Sequence, residues 1–388
     1  MLKVYLNPNE EKEKLEGFPW IFNNEIHSFD GTIENGKVCI VESFSHQFVC
    51  YGFLNLDSKI MIRILSLNQE EQIDRNFFKK RMLYAIEHRK SLGMLACCRL
   101  IFAEADGLPG LIVDKYGDYL SVQFLCLGME CIKDMIVELL VELIHPEGIY
   151  ERSDVSVRLK EGLEERKGFL YKEFNPKVKV IEDDIAFMVD IENGQKTGYF
   201  LDQKLNRDML KYYAKDKVVL DAFANVGGFS LHAAKYGASH IDACDISQRA
   251  CDEILFNASL NGFSQIHAKC VDVFDYLHLK EIENYYDLII LDPPAFTKSK
   301  ETVRKAYLGY KEINKQAMKI IKNGGYLFTF SCSQHMTQEL FLQMLKEASI
   351  EAHRSAQFLD FRIQSPDHPA LLASDEQLYL KCVILRVN

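Results

Sequence analysis

Three apolar runs, Val218-Val219-Leu220, Leu288-Ile289-Ile290 and Tyr326-Leu327-Phe328-Thr329-Phe330, each lead into residues able to do chemistry. The first precedes Asp221 and the glycine pair Gly227-Gly228, the second precedes Asp292-Pro293-Pro294-Ala295-Phe296, and the third precedes Ser331-Cys332-Ser333. Short continuous apolar runs bounded by turn residues fit strands buried on both faces, as in a parallel sheet. Around them, strands are expected near 217–223, 239–244, 286–291 and 325–330, with a final strand pair that includes 378–385. Strands that alternate with helical patterns in this way define an α/β, Rossmann-like fold with crossover helices. The three segments would then share the carboxyl edge of one sheet, where open α/β sheets bind their ligands.

The chain ahead of this region reads differently. Residues 1–70 show short strand patterns broken at Asp30-Gly31 and Asn35-Gly36, which suits a small β-barrel with Trp20 in its core. Residues 71–190 are expected to form a linking helix and a central α+β domain, leaving 191–388 for the Rossmann-like domain. The linking helix is expected to be capped by Asn68, with Glu70 and Glu71 in its first turn and Phe77, Phe78, Met82, Leu83 and Ile86 on one face. Strands are expected around 106–114 and 119–124, then a helix over 129–144 whose stripe of Ile132, Met135, Ile136, Leu139 and Leu140 is core.

A composition of 48% hydrophobic and 26% charged residues over 388 positions is that of a globular protein of two or three domains. The first residues lack a signal-peptide stretch, and no run approaches the roughly 20 apolar residues of a membrane span, so a cytoplasmic protein without a membrane partner is expected. The 11 cysteines include no C-x-x-C, and Cys97-Cys98 has no partner pair at zinc-site spacing. Free thiols in a reducing compartment are expected, and no metal. The net charge of −10 opposes a broad nucleic-acid footprint, because binding to phosphates needs positive potential. Two basic clusters stand out: Lys79-Lys80-Arg81 with Arg89, Lys90 and Arg99, read as a solvated helix face, and Lys298, Lys300, Arg304 and Lys305, which would flank the mouth of the site.

The glycine turn lacks the G-x-G-x-x-G spacing of dinucleotide sites, and the carboxylate of Asp221 suits a zwitterionic amino-acid ligand better than a phosphate. Asp245 lies 24 residues beyond Asp221 (245 − 221), where Rossmann-like folds hold ribose hydroxyls; the alternative is a cap for the helix starting at Gln248. Asp272 ends a further strand and can bond an adenine amine or cap the next helix. The prolines after Asp292 remove backbone donors and stiffen the turn into a wall for an unstacked base, against which Phe296 can stack. Cys332 would reach the same edge, where its thiol needs help from a cation or helix end to ionise; His335 is one candidate and a polar loop histidine the blander reading.

These residues, with Phe18-Pro19-Trp20-Ile21-Phe22, the 106–111 segment, Glu151-Arg152-Ser153-Asp154, Glu161-Gly162-Leu163, the 194–203 segment and Asp367-His368-Pro369, resemble nearly end to end the RlmI-like family. That family comprises class I S-adenosylmethionine-dependent 23S rRNA (cytosine-carbon-5) methyltransferases with an N-terminal PUA domain. The resemblance implies S-adenosyl-L-methionine as cofactor and 23S rRNA or a large ribosomal subunit precursor as partner; a homodimer is compatible with it. It implies that Gln203, Asn206 and Arg207 line the cofactor site, that Asp221 and the Gly227-Gly228 turn hold the methionine moiety, and that Asp245 holds the ribose and Asp272 the adenine. Phe223, Asn225, Ser247 and Val273 fall in the same cofactor site, and Asp292 at the junction of cofactor and base. Pro293, Pro294, Phe296, Lys298 and Lys300 are implied to face the RNA.

By the same resemblance Cys332 is the nucleophile that adds to carbon-6 of cytosine, and Asp292 assists near a ring nitrogen. Many RNA cytosine carbon-5 methyltransferases carry a second cysteine where this chain has Ala295, although the RlmI-like group lacks it too. The base that removes the carbon-5 proton is left unassigned. Two other readings stay open on the residues alone: methylation of a guanine or adenine nitrogen, which needs no thiol, and a non-catalytic RNA-binding assembly factor.

Overall fold

In a computed structural model the chain is described over residues 1–297, 300–374 and 377–388. It forms two compact units, one comprising Met1–Ile181, Val189–Leu201 and Pro366–Gln377, the other Glu182–Met188, Asp202–Ser365 and Leu378–Asn388.

The first unit contains a six-stranded sheet in the order Trp20–Phe22, Ile60–Ser66, Phe48–Leu54, Val38–Glu42, Lys3–Leu6, Ile26–Asp30, over a core that includes Val4, Leu6, Ile21, Val41, Leu54 and Ile62. Trp20 is only partly buried and donates its indole N–H to Glu104 Oε1 at 3.0 Å, so the expected core tryptophan is an anchor for a carboxylate instead. A five-stranded sheet follows, in the order Arg166–Tyr171, Gly148–Ser153, Tyr119–Phe124, Leu111–Tyr116, Cys97–Phe102. The expected single helix over 129–144 is two helices, Leu127–Cys131 and Lys133–Ile144, because Ile132 leaves helical geometry at φ −114° and ψ 17°.

The linking helix runs Arg75–Ser91 and is capped by Asp74, which accepts from Phe77 N. Asn68 instead accepts from Glu70 N two residues on, an Asx turn that competes with helix initiation. In the basic cluster around this helix Lys80 and Lys90 are exposed as expected, but Arg89 and Arg99 are not. Arg89 is fully buried and forks onto both oxygens of Asp106 at 2.7 and 2.8 Å, while also donating to the carbonyls of Arg99 and Asp367. Arg99 makes a second bidentate pair with buried Asp114, at 2.8 Å on each arm, and its N–H donates to Asp367 Oδ2.

The second unit is built on a seven-stranded sheet. In chain order its strands are β1 Val218–Ala222, β2 His240–Asp245, β3 Ile266–Cys270, β4 Tyr286–Leu291, β5 Ile321–Ser331, β6 Ala356–Arg362 and β7 Lys381–Val387, arranged β3-β2-β1-β4-β5-β7-β6. Strands β3 to β5 run parallel through that order, and β7 pairs antiparallel with both β5 and β6. The apolar runs that announced β1, β4 and β5 are buried: Val219, Leu220, Leu288, Ile289, Ile290, Leu327, Phe328 and Phe330 are all 0% exposed. The crossover helices include α1 Gly228–Lys235, α2 Gln248–Leu260, α3 Val273–Tyr276, α4 Val303–Ile320 and α5 Gln338–Glu351, and α4 and α5 bury Tyr310, Ile313, Ala317, Phe341 and Met344 with the sheet. Strand order reverses at β1, with β2 on one side and β4 on the other, so the ligand crevice of such a sheet opens above the ends of these strands.

Replacing Arg89 by Met should cost about 3–5 kcal/mol, because Asp106 would keep its buried charge and lose its fork partner. Urea unfolding of the variant against the wild type measures this, and a loss below about 1 kcal/mol would show that the pair is not needed for stability.

Candidate active site

After β1 the backbone makes a turn in which Phe223, Asn225 and Gly227 all have positive φ, at 65°, 50° and 84°. For the two non-glycine residues this left-handed geometry costs roughly 1–3 kcal/mol each and persists only where surroundings enforce it. Here Ala224 N donates to Cys244 O at 3.0 Å, Gly227 N to Ala224 O at 2.8 Å, and Asn225 N to Asp245 Oδ2 at 3.0 Å. A Cβ on Gly227 would also crowd Ile254 Cγ1 at 3.2 Å, so φ calls for glycine and the space favours it.

Asp221, the penultimate residue of β1, is 1% exposed. Its Oδ2 accepts from Ser230 N at 2.9 Å and Ser230 Oγ at 2.6 Å, whereas its Oδ1 is buried with no hydrogen-bond partner. Burial pushes its pKa up to about 7; the Ser230 bonds pull it down and the charge of Asp245 pushes it further up. A buried carboxylate with one oxygen unmatched is a binding place for a cationic group, such as the ammonium of an amino-acid moiety.

Asp245 ends β2 half-buried and accepts from two backbone amides, Asn225 N on Oδ2 and Ser247 N on Oδ1 at 2.9 Å. It is not the cap of α2; Ser247 is, accepting from Ala250 N. Between them Ile246 is 71% exposed, an apolar face that the sequence reading missed. Asp272 is exposed and caps α3 by accepting from Phe274 N at 2.7 Å, with Val273 buried behind it. The rings of Phe223, Phe274, Phe296 and Tyr310 form a row with successive centroid spacings of 6.5, 5.9 and 4.5 Å.

Asp292 follows β4, its N–H donating to Ala222 O at 3.4 Å and its Oδ2 accepting from Gln203 Nε2 at 3.0 Å. Gln203 is held in turn by Asn206, whose Nδ2 donates to Gln203 Oε1 at 2.8 Å, and Asn206 accepts from Arg362 Nε. Arg207 is turned elsewhere, onto buried Glu182 at 2.6 Å. Glu182, Asp183 and His232 place ligand-type atoms within 4.8 Å of one another, but the Arg207 charge on Glu182 opposes a metal ion there. Pro293 is buried and Pro294 exposed. Lys298 lies outside the described residues, as does the side chain of Lys300; Arg304 and Lys305 are exposed at the start of α4.

Cys332 stands half-exposed between two buried serines just beyond β5. Ser333 N donates to Ser331 Oγ at 3.3 Å, Ser333 Oγ shares a hydrogen bond with Tyr310 Oη at 2.9 Å, and Ser333 O accepts from Lys381 Nζ at 2.7 Å. His335 makes no hydrogen bond or ion pair among the described residues, so the cation that this turn does engage is Lys381. No local pattern signalled Lys381, because its place depends on an antiparallel pairing fifty residues long, Ser331 with Lys381.

Known proteins share this chain's sequence and fold. Residues 167–386 match the family described as S-adenosylmethionine-dependent methyltransferase, and residues 4–67 match a PUA-like domain. The chain is 40% identical over 393 residues to a ribosomal RNA large subunit methyltransferase I of Aliivibrio fischeri, spanning 100% of this chain and 99% of that one. It is 41% identical over 387 residues to the protein of the same name from Vibrio cholerae, spanning 97% of each. In fold it is similar to a putative SAM-dependent methyltransferase from Streptococcus mutans, with a TM-score of 0.82 at 22% identity and 100% of both chains covered. The chain therefore belongs to the S-adenosylmethionine-dependent methyltransferases, in the family of the large-subunit ribosomal RNA methyltransferases I.

The raised pKa of Asp221 sets the sign of a pH effect. A carboxyl that binds its proton more tightly folded than unfolded favours the folded state at low pH, and that contribution is lost as pH rises from about 4 through about 7. Relative to Asp221→Asn, wild-type protein without cofactor should lose stability over that window, by an amount on the order of a few kcal/mol. Thermal unfolding of both proteins between the two pH values reads it, and parallel curves would contradict the assignment. Gly227→Val should lower cofactor affinity by at least about tenfold, as measured by calorimetry, since a branched side chain fits neither the φ nor the space.

Proposed function

We propose that this protein methylates carbon-5 of a cytosine in 23S rRNA, free or within a large-subunit precursor, through a covalent adduct with Cys332. The observation that carries the reading is the position of that thiol: half-exposed, on a turn pinned at both serines, one strand over from Asp292-Pro293-Pro294. When bound, S-adenosylmethionine supplies an electrophilic methyl group on a sulfonium.

The residues present fit that cofactor. Asp221 Oδ1 would take the ammonium of the methionine moiety, at the end of β1 and beside the N-terminal end of α1. Asp245 still has lone pairs beyond those used by Asn225 and Ser247, and these would accept the ribose hydroxyls. Exposed Ile246, with Val273 and Asp272, would hold the adenine. Gln203 fixes the carboxylate of Asp292, which would accept from the base's exocyclic amine next to a ring nitrogen, while Phe296 offers a face for stacking. Exposed Arg304 and Lys305 meet the RNA backbone in an otherwise acidic chain.

In the reaction the thiolate of Cys332 forms a bond to carbon-6, which moves electron density to carbon-5. Carbon-5 takes the methyl group as the methyl–sulfonium bond breaks and the neutral thioether leaves, a base removes the carbon-5 proton, and the bond between carbon-6 and Cys332 Sγ breaks to return the thiolate and the aromatic ring.

Nucleoside mass spectrometry of protein-free 23S rRNA should show new 5-methylcytidine with wild-type protein, and below about one-thousandth of that rate with Cys332→Ala. RNA containing 5-fluorocytosine, which cannot lose a carbon-5 proton, should trap the wild-type protein but not the variant. Methylated guanosine or adenosine from both proteins would replace this reading with nitrogen methylation.

A further inference from the structure

A thiol of ordinary pKa near 8.5 is mostly protonated at neutral pH, so a cysteine nucleophile depends on positive potential at the sulfur. The groups able to titrate around the Ser331-Cys332-Ser333 turn come from four elements: Lys381 on β7, Tyr310 on α4, Asp292 after β4, and His335 further along the same loop. Tyr310 is buried and its pKa raised, so it stays neutral, and Asp292 is an acid. Lys381 is 6% exposed, sits opposite Ser331 in the β5–β7 register, and donates to Ser333 O and Tyr379 O, both at 2.7 Å. Side chains of directly opposed residues lie on the same sheet face, so the ammonium is beside the start of the thiol's turn.

We infer that Lys381 is the positioning residue of Cys332: anchored on the carbonyls of Ser333 and Tyr379, its ammonium holds the turn in place and supplies the positive charge that favours the thiolate. An ammonium has three donors, two of which the carbonyls occupy. The third N–H leaves a cationic face for the neighbouring sulfur. Burial lowers the Lys381 pKa to about 8 and the charge of Cys332 acts in the opposite direction, so the ammonium lies within electrostatic reach of the sulfur. The assignment rests on Cys332 as nucleophile, and it concerns the thiol rather than the RNA.

The test is the pH dependence of Cys332 alkylation by iodoacetamide in the full chain without RNA or cofactor, in which a carbon–sulfur bond forms and iodide leaves. It is followed by mass spectrometry on the peptide carrying Cys332, because Cys131 and Cys270 are exposed as well. In the wild type the half-point should fall below the free-thiol value of about 8.5. Lys381→Gln, which keeps a donor but drops the charge, should raise it by about one pH unit, a tenfold fall in thiolate at neutral pH, while Lys381→Arg should stay close to wild type. A wild-type half-point at or above about 8.5 overturns the proposal without recourse to any variant. So does an equal shift in both variants, which would mark a packing effect, or no shift in Lys381→Gln. Adduct formation with 5-fluorocytosine RNA is scored separately, so failure of the cytosine reading leaves its own signature.

Discussion

The strained turn after β1 is held by one carboxylate. Asp245 captures the N–H of Asn225 on one oxygen and that of Ser247 on the other, and thereby ties the loop of β1 to the loop of β2. Together with the bonds from Ala224 N to Cys244 O and from Gly227 N to Ala224 O, that clamp keeps two non-glycine residues left-handed. Burial is the main reason the Asp221 pKa is raised, and the clamp places Asp245 close enough to add to it, so the turn contributes to the electrostatics of the site.

Much of the second unit was legible because its strands are buried on both faces, and such strands appear as unbroken apolar runs at β1, β4 and β5. Chemistry-bearing residues at strand ends could be read in the same way, since parallel strands bring their carboxyl ends together. Helix starts were harder. Asn68 and Asp245 looked like caps, yet Asp74 and Ser247 do the capping, because a short polar side chain can equally bond an amide two residues on. The buried arginines misled for a different reason. Nothing local to Arg89 or Arg99 distinguishes a solvated cation from one whose carboxylate partner is supplied by a later strand or loop.

Segments whose residues looked merely characteristic acquire physical roles. Asp367 fixes Arg99 N through its side chain and Arg89 through its carbonyl, which explains why a loop distant in sequence belongs to the first unit. Gln203 and Asn206 form a relay to Asp292. Arg207, from the same short helix, faces away to Glu182, showing how neighbouring positions divide between site and scaffold.

The unmatched oxygen of Asp221 has a thermodynamic consequence. A carboxyl with a pKa of about 7 carries a proton in roughly half of the molecules at neutral pH. A cation that seats on it must displace that proton, so binding is coupled to release of a fraction of a proton into the buffer. The apparent heat of association then varies with the ionisation enthalpy of the buffer, and the difference in that variation between wild type and Asp221→Asn counts the protons that Asp221 gives up.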